Sequence, residues 1–169
     1  MKGVWGWGQA FLIVVIWRRR TGSRGRGAEG GGRRTGDRIR SFRDLRVYQE
    51  AFRLQQEVFE VSKGFPKEEL YSLTDQIRRS SRSVGANLAE AWQKRPYQAH
   101  FLSKLSDSDG EQAETQHWLD TALACKYVSE EEHASLMNQC KQIGRMLGKM
   151  MANPGPFCRS YTAAKKDKG

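Results

Sequence analysis

Proline, glycine and capping motifs divide residues 41–153 into four segments, and apolar residues recur in each at the spacing of an α-helix. The predicted helices run from about Ser41 to Gly64, Pro66 to Trp92, Pro96 to Lys126 and Ser129 to Asn153. The linkers are only a few residues long, and short linkers place consecutive helices antiparallel. Since no β-type alternation competes with this pattern, we expect an all-α fold, an antiparallel up-down four-helix bundle.

The ends of these helices carry recognisable start and stop signals. Ser41-Phe-Arg-Asp44 and Ser129-Glu-Glu-Glu132 have the form of capping boxes, with Asp in place of Glu in the first. Lys63-Gly64 predicts a left-handed glycine cap, and Pro66 predicts the start of the second helix. Gly110 is a weak point at which the third helix could kink.

The first helix has two apolar seams. One comprises Val47, Ala51, Leu54, Val58 and Val61, and the other comprises Leu45, Tyr48, Phe52 and Phe59. At the angular spacing of an α-helix the two seams together cover about 200°. A helix that packs on one side needs an apolar stripe of only a little over 100°. The wider arc predicts that part of this helix is covered by another copy of the chain.

The positive charge lies mostly outside the predicted bundle. The net charge is +10, but residues 1–40 hold ten Lys/Arg against two acidic residues, and residues 157–169 hold four against one. Residues 41–156 hold fifteen basic and sixteen acidic residues. We therefore divide the chain into an N-terminal extension (1–40), a nearly neutral bundle (41–153) and a basic flexible tail (154–169), and the high overall charge says nothing about the bundle itself.

The N-terminal extension admits more than one interpretation. Residues 4–17 are apolar but too short for a membrane-spanning helix, which needs about 20 residues. Residues 21–38 are rich in Gly and Arg and too poor in apolar residues to fold. The extension is either a disordered RNA-binding tail or translated sequence upstream of the true start codon. We expect no membrane partner.

The three cysteines, Cys125, Cys140 and Cys158, are odd in number and have no CxxC spacing. A disulfide framework or zinc site is not expected from this pattern. Cys140 falls in an apolar helical stripe, which predicts a buried free thiol. Free thiols are typical of a reducing compartment, so we expect a cytoplasmic protein.

Two strings carry a family resemblance: FRDLRVYQEAF in the first helix and FPKEELYSLTDQIRRSSRSVGANLAEAW in the second. With FLSKLSDSDGEQAETQHWLD in the third helix, they resemble the four-helix-bundle family named for 23S ribosomal RNA intervening-sequence proteins, over about residues 42–152. The resemblance implies assembly into a homopentamer. It also includes a relative, the accessory protein of diversity-generating retroelements, that binds nucleic acid and a reverse transcriptase. Ala91 stands where many relatives have glycine.

The first candidate site is a basic surface on helix two. Its residues are Arg78, Arg79, Arg82, Lys94 and Arg95. Arg78 and Arg82 share a helix face, whereas Arg79 lies about 100° round the helix. Such side chains contact phosphates without reading sequence, which predicts non-specific RNA or DNA binding. The alternative is that they are solvated charges and that Arg79 pairs with acidic residues on helix three.

The second candidate is a polar seam at the inward side of helix two. It comprises Gln76, Arg79, Ser83, Asn87 and Glu90, with Asp107, Glu111 and Glu114 as counterparts on helix three. Inward polar groups must be paired, and their usual role is to set register and oligomer choice. We expect that structural role, with a ligand pocket as the alternative.

Two ExxH pairs, Glu114/His117 and Glu130/His133, match the motif of di-iron bundles. Their positions place them roughly 10 Å apart along the bundle, too far to share a metal pair. The cysteines have no evident His partner, and no glycine loop suitable for phosphate follows a strand. We expect no metal, no cofactor and no enzymatic activity.

Two interpretations of function remain. In one, a homo-oligomeric accessory factor binds RNA or DNA through the arginines of helix two. In the other, a self-assembling or protein-binding scaffold has no nucleic-acid role.

Overall fold

The computed structural model describes residues 39–158. This part of the chain contains four α-helices: α1 (Arg46–Val61), α2 (Asp75–Lys94), α3 (Gln98–Ala124) and α4 (Glu130–Ala152). No strand occurs between residues 39 and 158. The predicted all-α class is therefore confirmed. The apolar N-terminal run, the Gly/Arg-rich segment and residues 159–169 lie outside the described residues.

The helices enclose one apolar core. α2 packs on α1 and α3, and α4 packs on α3 and α1. Large side chains from all four helices are fully buried: Leu54, Ile77, Leu88, Phe101, Leu105, Leu119, Ile143 and Leu147. Burial of each stabilises the fold by about 1.5–3 kcal/mol, because apolar surface leaves water.

The start of α1 confirms the predicted capping box and shifts the helix boundary. The Ser41 hydroxyl accepts a hydrogen bond from the Arg43 amide at 3.1 Å, and the Asp44 carboxylate accepts one from the Ser41 amide at 2.9 Å. Hydrogen bonds from the Arg40 and Ser41 amides lower the pKa of Asp44. The box caps a single 3-10 turn, Phe42–Asp44, and the α-helix begins only at Arg46.

The predicted left-handed glycine cap is wrong. α1 ends in a 3-10 turn, Ser62–Gly64, and the φ of Gly64 is not in the left-handed region. The tighter turn satisfies the last carbonyls without a left-handed residue. Among the non-glycine residues of the described chain, the left-handed conformation occurs at Lys126, with φ 60°, two residues after the end of α3.

The segment before α2 is helical from Lys67, directly after Pro66, but it is not α-helical. A 3-10 turn (Lys67–Glu69) is followed by a π-helical turn (Leu70–Thr74), and α2 begins at Asp75. The Glu69 side chain accepts hydrogen bonds from the Leu73 amide at 3.4 Å and from the Tyr127 hydroxyl at 3.2 Å. This carboxylate therefore joins the start of the second helical region to the loop between α3 and α4.

The last two helices are long and regular. α3 is one uninterrupted α-helix through Gly110. The predicted capping box at Ser129–Glu132 is confirmed at the start of α4. After α4, Phe157 stacks on Phe101 with ring centroids 6.2 Å apart. None of the helices between residues 39 and 158 combines the length and apolarity needed to cross a membrane.

Candidate functional site

Arg78 and Arg82 lie beside an aromatic ring of α1. Their guanidinium carbons are 5.0 and 5.8 Å from the centroid of Phe59, and the Lys63 ammonium lies 4.7 Å from the same centroid. We call these four residues the Phe59 cluster. The negative face of an aromatic ring attracts cations, so the ring holds three positive side chains at one place between α1 and α2.

The cations of the Phe59 cluster differ in their other partners. Lys63 forms an ion pair with Glu60 at 2.8 Å, and the Arg78 Nε donates a hydrogen bond to the Ser62 hydroxyl at 2.7 Å. Within residues 39–158, neither Arg78 nor Arg82 forms an ion pair with a carboxylate. Their positive charge is therefore available to an external anion. Phe59 and Lys63 were not among the residues predicted for this site, although an aromatic residue four positions before a lysine is a visible signal.

The other three predicted basic residues lie elsewhere. Arg79 donates a hydrogen bond to the Gln76 side chain at 3.1 Å, on the side of α2 that faces α3. Lys94 lies 3.8 Å from Glu90, and the Arg95 guanidinium lies 4.0 Å from the centroid of Trp92. The end of α2 is roughly 18 Å along the helix from Arg82. The five residues therefore occupy three places and do not form one continuous surface.

An open groove of about 530 Å³ lies between α2 and α3. Its lining residues are Asn87, Lys104, Asp107, Gly110, Glu111 and Glu114. Lys104 is central: its ammonium lies 3.0 Å from Glu90 and 3.2 Å from Asp107, and it donates a hydrogen bond to Asn87 at 3.3 Å. The two carboxylates raise the pKa of Lys104. Lys104 was not among the residues predicted from sequence, although it lies three residues before Asp107, a spacing at which helical side chains meet.

The groove is acidic. Burial raises the pKa of Glu111, the charges of Glu114 and Asp107 raise it further, and the positive charge of Arg79 lowers it. Three carboxylates (Asp107, Glu111 and Glu114) and one cation, Lys104, line the groove. This balance disfavours a phosphate ligand in the groove.

The predicted polar seam is at the surface and does not point inward. Arg79 and Glu90 are exposed, and Gln76, Ser83 and Asn87 are half-buried. Among the fully buried polar residues of α2 and α3 are Ser80, Ser108 and Thr115. The Ser108 hydroxyl donates to the Val84 carbonyl at 2.9 Å, and the Thr115 hydroxyl lies 3.0 Å from the Ser80 hydroxyl. Small hydroxyl side chains fit between the closely packed helices α2 and α3, whereas longer charged side chains extend to solvent at the edge of this interface.

The second apolar seam of α1 is only partly covered. Leu45 is buried, Tyr48 and Phe59 are half-buried, and Phe52 remains 49% exposed. Tyr48 and Phe52 stack with ring centroids 6.3 Å apart. Phe52 therefore presents aromatic surface on α1 that the chain itself leaves uncovered.

The two ExxH pairs have other partners. His133 lies 2.8 Å from the Asp120 carboxylate, and Glu114 accepts a hydrogen bond from the Trp118 indole at 3.1 Å. The His117 ring packs on Trp118. Across the described residues, no group of three or more His, Cys, Asp or Glu side chains is arranged to hold a metal ion.

The predicted burial of Cys140 is confirmed. Its side chain is fully buried, and burial raises the pKa of the thiol to about 12. Cys125 is exposed, and Cys158 is half-buried, which raises the pKa of its thiol. All three cysteines are free thiols.

Comparison with known protein families shows to which family the chain is related. A sequence model of the 23S rRNA-intervening sequence protein family matches residues 43–149, more than half of the chain. The chain belongs to this family. The family resemblance is therefore confirmed, and the match includes α1, α2, α3 and most of α4.

A solved structure supports the same assignment. It is a protein with unknown function from the S23 ribosomal protein family of Bacteroides thetaiotaomicron, 26% identical to this family member. The similarity covers 62% of this chain and 97% of that chain, with a TM-score of 0.58. Among curated proteins the comparison finds no match.

The family match includes both surfaces described above. The Phe59 cluster and the acidic groove lie inside residues 43–149, whereas residues 1–42 and 150–169 lie outside the match. The strongly basic ends of this intervening-sequence family member are therefore separate from the part that defines the family.

Proposed function

We propose that this protein is a non-enzymatic accessory factor that binds RNA or DNA non-specifically through Arg78 and Arg82. The observation that carries the proposal is the Phe59 cluster: both guanidinium groups are held on an aromatic ring and have no carboxylate partner in residues 39–158. Because arginine contacts phosphate oxygens in a sequence-independent way, this arrangement fits a nucleic-acid backbone. Arg79 and Lys94 have acidic neighbours and contribute less.

Binding to a labelled single-stranded RNA, measured on filters across a salt series, tests this proposal. We expect the double variant Arg78→Ala/Arg82→Ala to bind about tenfold more weakly near 100 mM salt and to lower the salt slope by about 1.4. The matched control is Arg46→Ala/Lys67→Ala, because it removes the same charge from exposed positions outside the cluster.

The outcome distinguishes local contact from net charge. If the control weakens binding as much as the arginine variant does, the effect comes from overall charge, and the proposed site is wrong. If the unmodified chain does not bind RNA or DNA at low salt, the proposed function is wrong.

We further propose that the bundle is antiparallel and up-down. Contacts at the helix interfaces support this topology. Along α2, Ser80 meets Thr115 whereas the later Val84 meets the earlier Ser108. Between α3 and α4, Asp120 meets His133, and Gln112 lies near Gly144. Opposite numbering on the two sides of an interface is the pattern of antiparallel helices.

We also propose that the protein assembles into a homo-oligomer, with five subunits as the family resemblance implies. The exposed ring of Phe52, stacked on the half-buried Tyr48, supports a contact through α1. Light scattering after size exclusion should give the mass of a pentamer for the unmodified chain and a smaller mass for Phe52→Glu. The control Gln56→Glu adds the same charge on the exposed side of α1 and should leave the mass unchanged. A monomeric unmodified chain would contradict the proposal.

A self-assembling or protein-binding scaffold without a nucleic-acid role is the second candidate. It is favoured by the near-neutral charge of residues 41–156 and by the acidic groove between α2 and α3. Ultraviolet crosslinking in cells separates the two candidates, since only the first predicts crosslinked nucleic acid on the chain.

We propose a cytoplasmic location and no catalytic role. The exposed free thiol of Cys125 fits a reducing compartment. The buried Cys140 thiol, with its pKa raised to about 12, stays protonated at neutral pH and is a poor nucleophile. Cell fractionation tests the location, and recovery of the chain in a secreted fraction would contradict it.

A further inference from the structure

The outer face of α4 carries a row of three cations. Lys141, Arg145 and Lys149 are all exposed and follow one another at four-residue spacing. Consecutive charges are therefore separated by about 6 Å along the helix axis. The row lies opposite the buried stripe of α4, which comprises Leu136, Cys140, Ile143, Leu147 and Met150.

The row has no acidic partner in the described part of the chain. Within residues 39–158, none of the three side chains forms an ion pair. From His133 to the end of α4 the sequence contains no Asp or Glu.

The neighbouring helices do not neutralise this row either. On the α1 side, the Glu57 carboxylate accepts a hydrogen bond from Gln139, and on the α3 side, Asp109 accepts one from Gln112 at 3.1 Å. Neither carboxylate forms an ion pair with a cation of this row. Residues 41–156 are nearly neutral in total, but their charges are separated in space. The groove between α2 and α3 is acidic, and the outer face of α4 is positive.

The helix surface beside this row is open to solvent. Gly148 lies between Arg145 and Lys149, and a Cβ atom added to it would meet no heavy atom within 4 Å. A ligand could approach the backbone of α4 there more closely than a side chain would allow. The sequence that follows α4 adds Arg159, Lys165, Lys166 and Lys168 against one acidic residue.

We propose that Lys141, Arg145 and Lys149 form a second phosphate-binding surface that contacts a nucleic-acid backbone. The inference rests on the proposed nucleic-acid role, but it assigns a surface separate from Arg78 and Arg82. α4 packs on α1 and α3, whereas the Phe59 cluster lies between α1 and α2. The two surfaces face different directions, so one protein can hold two segments of a strand.

The test is a triple variant, Lys141→Gln/Arg145→Gln/Lys149→Gln, in the full chain. Fluorescence anisotropy with a labelled single-stranded RNA should show at least about tenfold weaker binding near 100 mM salt and a salt slope lower by about 2, because three phosphate contacts are lost. The matched control is Arg43→Gln/Arg46→Gln/Lys67→Gln, which removes three exposed positive charges from the other end of the sequence. Circular dichroism should show the same helix content in all variants, since the changed side chains are exposed.

Combination with Arg78→Ala/Arg82→Ala separates the two proposals. Independent surfaces predict that the fold-losses of the two variants multiply. If the α4 variant matches its control while Arg78→Ala/Arg82→Ala loses binding, this inference is overturned and the proposed function stands. If only the α4 variant loses binding, the proposed Arg78/Arg82 site fails and this inference stands.

A membrane is the competing source of phosphate. Sedimentation with phosphatidylserine vesicles gives the second readout. If the triple variant loses vesicle binding but keeps the RNA affinity of its control, the α4 face is a membrane surface and the inference is overturned. An unmodified chain that binds no RNA at low salt overturns both proposals.

Discussion

At the scale of single residues, neighbouring arginines of α2 have different surroundings. Arg78 contacts the Phe59 ring and the Ser62 hydroxyl, whereas Arg79 contacts Gln76 and lowers the pKa of Glu111. A one-residue step turns a helical side chain by about 100° and so changes its neighbouring helix. The chemistry of each arginine therefore depends on which interface it borders, and Arg78 is the one placed for an external anion.

Cys140 gives a residue-scale prediction about pH. Its folded pKa of about 12 exceeds the usual 9.0, so the folded chain keeps a proton that the unfolded chain releases at alkaline pH. The contribution of Cys140 to the free energy of unfolding is complete below the pKa of the unfolded chain. It is lost as the pH rises toward the pKa of the folded chain. Above about pH 9, this group should reduce the free energy of unfolding by up to about 1.4 kcal/mol per pH unit.

Urea unfolding at several alkaline pH values checks this prediction in the unmodified chain and in Cys140→Ala. The difference between their pH slopes isolates the buried thiol from lysines and tyrosines that titrate in both proteins. Parallel slopes would contradict the assignment.

At the scale of helices, α2 and α3 approach through small hydroxyl residues. Thr115 donates to the Glu111 carbonyl at 2.9 Å on its own helix and meets Ser80 across the interface. Larger side chains at these positions would separate the helices, so the buried layer sets both the distance and the register of the pair.

Replacement of Thr115 tests this layer. Thr115→Val keeps the shape but removes the hydroxyl, and it should reduce the free energy of unfolding by about 1 kcal/mol. Thr121→Val is the matched control, because Thr121 also donates to the carbonyl four residues earlier, at 3.0 Å, but is not fully buried. Denaturant unfolding should show a clearly smaller loss for Thr121→Val, and equal losses would exclude a special role for the interface contact.

The two glycines of α4 give a second prediction at this scale. A Cβ on Gly148 has open space, so Gly148→Ala should stabilise the fold by about 0.5–1 kcal/mol through helix propensity. A Cβ on Gly144 would lie 2.9 Å from the Gln112 amide, and Gln112 would have to shift. Gly144→Ala should therefore raise the midpoint temperature of thermal unfolding less than Gly148→Ala does. A larger increase for Gly144→Ala would show that the Gln112 side chain moves aside without cost.

At the scale of the whole molecule, charge is distributed unevenly. The ends of the chain are strongly basic, residues 41–156 are nearly neutral, and within the bundle the groove between α2 and α3 is acidic while α4 is basic on its outer face. A single net charge therefore predicts neither where an anion binds nor how strongly the bundle attracts it.

Removal of residues 1–38 tests the contribution of the N-terminal segment. These residues hold nine Lys/Arg and two acidic residues, so the shortened chain should bind RNA more weakly at low salt and with a smaller salt slope. The affinities of the two chains should converge as salt rises, because screening removes the difference. An unchanged slope in the anisotropy assay would show that the segment does not contact the nucleic acid.

The amino-acid sequence was sufficient to predict the helices and the burial of particular residues. Apolar spacing identified four helices, and local motifs located the capping boxes at Ser41 and Ser129 because such caps depend on residues three apart. The burial of Cys140 followed from its place in an apolar stripe. These features are local, so neighbouring residues contain the information.

The tertiary structure decided how residues far apart in sequence meet. It placed Phe59 and Lys63 beside Arg78 and Arg82, and it put Lys104 at the centre of the acidic groove. It also replaced the glycine cap at Gly64 with a 3-10 turn. Helix periodicity specifies which residues share a face, but the rotation and distance between packed helices determine which faces meet and which polar groups remain at the rim.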